Sequence, residues 1–441
     1  MWRRSRSATA STLGLTLALT AFGWSQAGVS NAATCDAYAG YGTFDGASVS
    51  INTSMQNLEA ENYEKAFAEF EGCTGIDIVW EGTENFESLL RERVAAGNAP
   101  DLAMVSQPGL VASFAASGDA KPASAAVAAQ AAANYSQDWV RYGTVDGVFY
   151  APPAQANVKS FVWYSPSMFA DNDWEVPQTW AELKALSADI AATGVTPWCA
   201  GVESGGATGW TATDWVEDVL LRTAGAEVYD QWVSHEIPFN DPEVVAAVDE
   251  VGSILKNPEF VNGGIGDVAS VATTPFQEAG LPILQGTCAM HRQASFYATM
   301  WPEGTKVAAD GDIYAFYLPS VNAGSRPVVG GGELLTAFNE EPATQAVQLY
   351  LTSAEFVNAK AALGGWLTPN NKLDPANVVN PIDKLSTQLL QDPKTVFRFD
   401  GSDLMPAAVG AGTFWTEMVE WLQGQSTADT LTAIEASWPE S

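Results

Sequence analysis

The stretch GTCAMHRQASF, residues 286–296, sets Cys288, His291 and Arg292 within five positions of one another in a chain with only two histidines. A thiolate activated by an imidazole and half of a metal site are the two readings with chemistry of their own. Other catalytic signatures are missing: there is no GxSxG elbow, no Walker loop, no GxGxxG after a strand and no HExxH. His235 and His291 leave little acid–base capacity near neutral pH. There is no CxxC and no Cys/His pair at zinc-finger spacing, which counts against a metal at residues 286–296, and no cofactor is expected. The 52 Asp and Glu residues could still supply the carboxylate pair of a glycosidase. Spacing alone leaves that class open.

Cys35, Cys73, Cys199 and Cys288 are the only cysteines, and the compartment decides what they do. Residues 1–33 begin with Arg3, Arg4 and Arg6, run apolar from Leu13 to Phe22, and end in small residues at Ala32 and Ala33. That is the anatomy of an export signal, too short to span a membrane. Four cysteines in an exported protein read as two disulfides with three possible connectivities. Cys35 with Cys73 and Cys199 with Cys288 is the favoured pairing, because crossed pairs would tie the mature N-terminus to a distant lobe. A lipid anchor on Cys35 is the weaker alternative, since Ala-Ala-Thr precedes it where Leu or Val is wanted three residues ahead. Removing the three arginines of the signal leaves 17 Lys and Arg against 52 Asp and Glu, a net charge of −35. Nucleic acid and anionic membranes are thereby disfavoured as partners.

The elements that must position any site alternate between strand and helix. ASVSINTS reads as a strand, followed by a helix carrying Tyr63, Phe67 and Phe70 on one face and ended by Gly72. IDIVW is a strand, NFESLLRERVAAG a helix with Phe86, Leu89, Leu90 and Val94 aligned, and DLAMVS a strand. Such alternation predicts an α/β fold with a largely parallel sheet, ligands sitting beyond the carboxyl ends of its strands. Around residues 138–152 an Asp146-Gly147 turn and a proline pair suggest a change of lobe. A second series follows: the helix TWAELKALSADIAATG, opened by a capping box at Thr179 and Glu182, the strand TPWCA, a glycine-rich loop and the helix TDWVEDVLLRTAG. IYAFYLPS is a third strand region, VVGGGELLTAF a glycine-loosened crossover, and helices are expected from there to the C-terminus.

The chain is rich in aromatics, with 16 Trp, 12 Tyr and 19 Phe. Several lie beside Gly and polar residues: Trp80 with Glu81, Trp210 with Asp214, Trp366 after a Gly pair, Trp415 after GAGTF. An aromatic face suits the C–H side of a pyranose while carboxylates, amides and guanidinium groups meet its hydroxyls. The competing reading of any one Trp is plain core packing.

Longer stretches carry a resemblance. YEKAFAEFEGCTGIDIVWEGTENFESLLRERVAAGNAPDLAMVSQPG, YAPPAQANVKSFVWYSPSMF and VPQTWAELKAL resemble the extracellular solute-binding proteins of carbohydrate ABC importers, of the maltose-binding-protein type. GWTATDWVEDVLLRTAGAEVYDQWVSHEIPFNDPEV, CAMHRQASF and DLMPAAVGAGTFW are similar to the alpha-glucoside-binding members. The resemblance implies a two-lobed periplasmic-binding-protein-like (type II) fold with a ligand cleft and a hinge of several crossovers. Its expected divisions are an N-terminal lobe over 34–155 with 328–365 returning to it, and a C-terminal lobe over 156–327 with 366–441. It implies no catalysis. A sugar ligand, the permease subunits of an ABC importer and a monomeric state are implied instead, with a polyol, a longer oligosaccharide or a secreted glycoside hydrolase as alternatives. The contacts carried over are Glu81, Gln107, Lys159, Trp210, Asp214, Arg292, Glu333, Trp366 and Trp415. On this reading Cys288 is tied up in a disulfide, His291 is a packing neighbour, and Arg292 points at sugar hydroxyls.

Overall fold

A computed structural model describes residues 35–322 and 324–439; the export signal expected over residues 1–33 lies outside the described residues. The chain forms β1 (Ala47–Thr53), β2 (Ile76–Gly82), β3 (Leu102–Val105), β4 (Thr144–Val145), β5 (Val148–Phe149), β6 (Pro153–Val158), β7 (Phe161–Tyr164), β8 (Thr196–Trp198), β9 (Cys288–Arg292), β10 (Tyr314–Tyr317), β11 (Arg326–Ala337) and β12 (Thr395–Phe399). Two sheets organise two lobes. The first runs β12-β11-β3-β1-β2, with β6 also paired to β11; the second runs β10-β7-β9-β8.

In the first lobe the two-residue period of a strand sends alternate side chains to opposite layers. Leu102 and Met104 of β3 join Tyr63, Phe67 and Phe70 of the helix Asn57–Thr74 on one face. Ala103 and Val105 join Phe86, Leu90 and Val94 of the helix Phe86–Ala95 on the other. Gly72 lies inside the helix Asn57–Thr74, contrary to the sequence expectation. The helix ends at Gly75, whose φ of 75° is the left-handed conformation that a C-terminal cap takes.

The second lobe packs the helices Trp180–Ala192, Trp210–Thr223 and Pro242–Leu255 around its sheet. Thr179 and Glu182 form the expected capping box. VVGGGELLTAF is not a loosened crossover but one continuous strand: β11 pairs in turn with β12, β6 and β3. Glycines at 330–332 let it do so, because a Cβ on Gly332 would stand 2.2 Å from the Gln155 carbonyl on β6. β12 is a further departure, since only helices were expected beyond β11. Trp366, assigned with the second lobe from sequence, packs into the first-lobe core against Phe356.

Cys35 bonds to Cys73 and Cys199 to Cys288, across 38 and 89 residues of sequence. Loop-closure entropy gives each roughly 4 to 5 kcal/mol.

Candidate functional site

Three parallel strands of the first lobe direct their carboxyl ends to one cavity of about 390 Å³ between the lobes. The turn after β1 brings Met55 and Glu59, the segment after β2 brings Glu84 and Glu87, and that after β3 brings Ser106 and Gln107. β6 and β11 add Gln155, Asn157 and Glu333 from the floor. The second lobe contributes Trp210, the first residue of its helix, with Lys159, Phe276 and Phe296; Asp400 and Asp403 follow β12, and Trp415 opens the helix Trp415–Leu422.

The two tryptophans meet because of Gly209. Its φ of 112° is open to glycine, and a Cβ there would lie 2.2 Å from the Trp415 carbonyl oxygen. The start of one helix can therefore sit against the backbone of the other, and Ala207, Ala411, Trp415 and Trp210 form a small apolar patch facing the cavity. Trp210 is held edge-on by Phe276 at 5.1 Å between ring centroids.

Several polar atoms on this wall are buried without a partner. Gln107 donates from Nε2 to Glu87 at 3.2 Å and leaves its Oε1 unused. Glu333 accepts from Ser106 at 3.4 Å on Oε1, while Oε2 has no partner. The Trp415 indole N–H is also unpaired. An unsatisfied buried polar atom costs about 1 to 3 kcal/mol, and three of them belong to residues that line this one cavity. Burial, with the Glu59 carboxylate adding to it, pushes the Glu333 carboxyl up to about 8. Burial likewise raises Glu59 and Glu87.

Lys159 lies at the crossover between β6 and β7. Its Nζ donates to Asp214 at 2.9 Å and to Asp400, and stands 5.2 Å from the Trp210 ring centroid. Burial alone would lower its pKa, but the two carboxylates hold it well above the ordinary lysine range. The same ammonium outweighs the effect of burial on Asp400 and pulls that carboxyl down to about 2. Asp214, Glu217 and Asp400 come close enough to hold a cation, and Lys159 supplies that charge from the protein itself.

Of the nine residues carried over from sequence, Gln107, Lys159, Trp210, Glu333 and Trp415 line the cavity; Glu81, Asp214, Arg292 and Trp366 do not. Glu81 pairs with Arg93 of the following helix. Trp366 is buried and donates its indole N–H to the Tyr63 hydroxyl at 3.0 Å. Tyr63 then donates to Gln155 at 2.6 Å, so Trp366 acts behind the wall. Asp214 stands one layer below the cavity, under Lys159.

Arg292 is the largest departure. Its side chain is fully buried, donating to Asp214 Oδ2 at 3.1 Å, to the Asp214 carbonyl at 3.1 Å and to Asp218 at 3.0 Å. The guanidinium braces the helix Trp210–Thr223 against β9, and its fork is spent on carboxylates. Asp218 is held below the usual range because Arg222 and Arg292 overcome the upward push of burial. His291 is no base either. Its ring bonds the Cys199 carbonyl through Nδ1 at 2.8 Å, and burial pushes its pKa down to about 4.

Glu59, Glu87, Gln155, Asn157, Asp400 and Asp403 line the cavity and went unnoticed in sequence. The signal for the first two was available: acids in the first turns of helices that follow parallel strands lie where such sheets bind ligands. Asp400 had no such signal, because β12 itself was not foreseen.

Residues 56–352 match the family described as bacterial extracellular solute-binding protein. The osmoprotective compounds-binding protein GgtB of Synechocystis sp. is 39% identical over 402 residues, covering 90% of this chain and 94% of that protein. The alpha-glucosides-binding periplasmic protein AglE of Rhizobium meliloti is 40% identical over 395 residues, covering 85% and 83%. Among solved structures, a chitin oligosaccharide binding protein superposes with a TM-score of 0.75 at 18% identity, over 89% of this chain and 98% of that one. These relatives are solute-binding proteins and not enzymes, with the same two-lobed architecture around a cleft. The chain therefore belongs to the bacterial extracellular solute-binding protein family.

Proposed function

We propose that this protein captures a neutral alpha-glucoside of disaccharide size outside the membrane, closes its two lobes over it and hands it to a membrane permease as a monomer. The observation that carries the reading is the convergence of three unpaired buried polar atoms, on Gln107, Glu333 and Trp415, upon one cavity walled by Trp210 and Trp415. Aromatic faces take the C–H side of a sugar ring and the orphan groups take its hydroxyls. The wall carries eight carboxyl groups, on Glu59, Glu84, Glu87, Glu203, Glu278, Glu333, Asp400 and Asp403, against the single ammonium of Lys159. Anionic sugars are excluded on that balance.

Gln107, Lys159, Glu333, Trp210 and Trp415 are the proposed direct contacts. Asp214 and Arg292 act through Lys159 and the helix that carries Trp210. Ligand bridges both lobes only when the cleft is closed, and that differential contact shifts the population toward the form a permease reads. The relative AglE, named for alpha-glucosides, favours this ligand class. The name of GgtB favours a glycosylated polyol as the second reading. Among the described residues no helix is long and apolar enough to cross a membrane.

A thermal-shift panel of trehalose, maltose, sucrose, a glucosylated polyol, longer maltodextrins and a uronic acid decides between them. A rise in melting temperature with one disaccharide and none with anionic sugars is expected. A flat response across the panel refutes binding, and release of glucose during incubation refutes it in favour of a hydrolase.

A further inference from the structure

The segment 200–209, between β8 and the helix Trp210–Thr223, is a stiff prong. The Cys199–Cys288 disulfide fixes its base. The Asn262 side chain bonds both the N–H and the carbonyl of Ala200, at 2.8 and 2.9 Å. Val202 and Glu203 donate from their backbones to Val271 and Thr274, at 3.0 and 3.1 Å, and Gly209 closes the segment by donating to Val202 at 2.9 Å.

Its tip touches the opposite lobe. The Gly206 N–H donates to Asn85 Oδ1 at 3.0 Å, across 121 residues of sequence. The approach needs glycines: a Cβ on Gly205 would lie 2.8 Å from Asn85 Oδ1 and 3.2 Å from the Glu84 carbonyl, and one on Gly206 would lie 3.2 Å from Ser88 Oγ. Gly205 also holds a φ of 54°. Asn85 precedes the helix Phe86–Ala95 yet makes no side-chain bond to that helix's own N–H groups, so its amide oxygen is committed across the gap. Glu84 and Ser204, the neighbours of the two contact points, both line the cavity. The contact therefore stands at the cavity's mouth.

We propose that Asn85 with Gly205 and Gly206 forms a latch that favours the closed lobes before any ligand arrives and limits the ligand to what fits behind it. The length limit rests on the proposed sugar binding; the latch itself does not. Nothing about the latch involves the proposed ligand contacts, so it adds closing free energy common to every ligand short enough to be enclosed.

The test uses the oxidised protein with spin labels on Lys65→Cys and Asp189→Cys, one exposed site per lobe. The interlobe distance distribution is measured without ligand, alone and combined with Asn85→Ala or Gly206→Leu. One exposed hydrogen bond implies a two- to fivefold fall in the ratio of closed to open for Asn85→Ala, roughly, and a larger fall for Gly206→Leu, which adds a side chain at the contact. Far-UV circular dichroism confirms that both variants are folded. Identical distributions in all three proteins overturn the latch. Calorimetry with a disaccharide and its tetrasaccharide homologue follows: Gly206→Leu is expected to weaken the shorter ligand and raise the relative affinity of the longer. Shifted distances with unchanged length selectivity overturn the size limit. Should no sugar bind the unmutated protein, the functional reading fails while the ligand-free distances still decide the latch.

Discussion

Replacing Glu333 by Gln tests whether the cavity holds a neutral carboxylic acid. Glu333 is 8% exposed, lies on β11 beside Ser106 and faces the charges of Glu59 and Lys159. Its pKa moves from an ordinary 4.5 to about 8 on folding. The sign follows from proton counting. Between those two values the folded protein holds a proton that the unfolded chain has lost, so stability is full below about 4.5 and falls as pH rises through 8. Integrating that difference from about pH 5 to about pH 8 gives a loss of about 3 kcal/mol from this one group, to order of magnitude. Gln keeps the shape and a donor but cannot ionise. The unfolding free energy is measured in urea at several pH values for both proteins without ligand. The variant is expected to lose less stability than the parent across this range, by a difference approaching that figure. Glu87 gives both proteins the same slope, which cancels in the comparison, while Glu59, facing Glu333, loses a repelling neighbour in the variant and widens the difference in the same direction. Parallel pH profiles would show that Glu333 is already ionised when folded and would refute the argument from burial.

Three other outcomes follow from the same contacts. Arg292→Ala is expected to destabilise the fold by about 3 to 5 kcal/mol, because it strips a buried charge from Asp214 and Asp218, and a chemical denaturation curve reads this directly. Trp415→Phe keeps a ring but deletes the unpaired N–H; calorimetry with the ligand found in the panel is expected to show a loss of about 1 to 2 kcal/mol with little change in melting temperature. The double change Cys199→Ser with Cys288→Ser removes an 89-residue closure and is expected to cost about 2 to 5 kcal/mol, measured against the reduced parent as a control.

How much of this was legible in sequence depended on how local the signal was. The alternating first lobe and the capping box at Thr179 rest on short-range patterns, and they fold accordingly; the cysteine pairing rested instead on keeping each pair within one lobe, and it too is found. β12 was hidden because TVFRF is only five residues long and lies among helical stretches, with nothing local to announce its partner β11. Trp366 and Trp415 look alike from sequence, one directly after a Gly pair and the other closing the glycine-containing run GAGTF. What separates them is the Tyr63 hydroxyl that receives the Trp366 N–H, contributed by a helix about 300 residues earlier. Arg292 looked like a ligand contact because a guanidinium in an acidic chain needs acceptors. The acceptors turned out to be Asp214 and Asp218, one helical turn apart, whose shared face is visible in the sequence only once Arg292 is known to pack against it.

That buried ionic layer also explains how a cleft can move without losing its charge balance. Lys159, Asp214, Asp218, Arg222 and Arg292 are bonded to one another or through one shared carboxylate, and every one of them sits on the second lobe or at its crossover. Arg222 ties the layer down further by donating to the carbonyls of Leu318, Pro319 and Pro327. The lobe rotation that the proposed function requires, taken about β6, β11 and β12, would therefore break none of these pairs. On the proposed opening of the lobes the costly charges would stay compensated, while the partnerless atoms of Gln107, Glu333 and Trp415 belong to the cavity wall at the boundary. Water can satisfy those three in the open form and a hydroxylated ligand in the closed one, whereas closure on an empty cavity or on a ligand lacking the matching hydroxyl leaves them bare. On the proposed function, selectivity comes from hydrogen-bonding groups at the moving boundary, with the ion pairs kept behind it as a rigid mount.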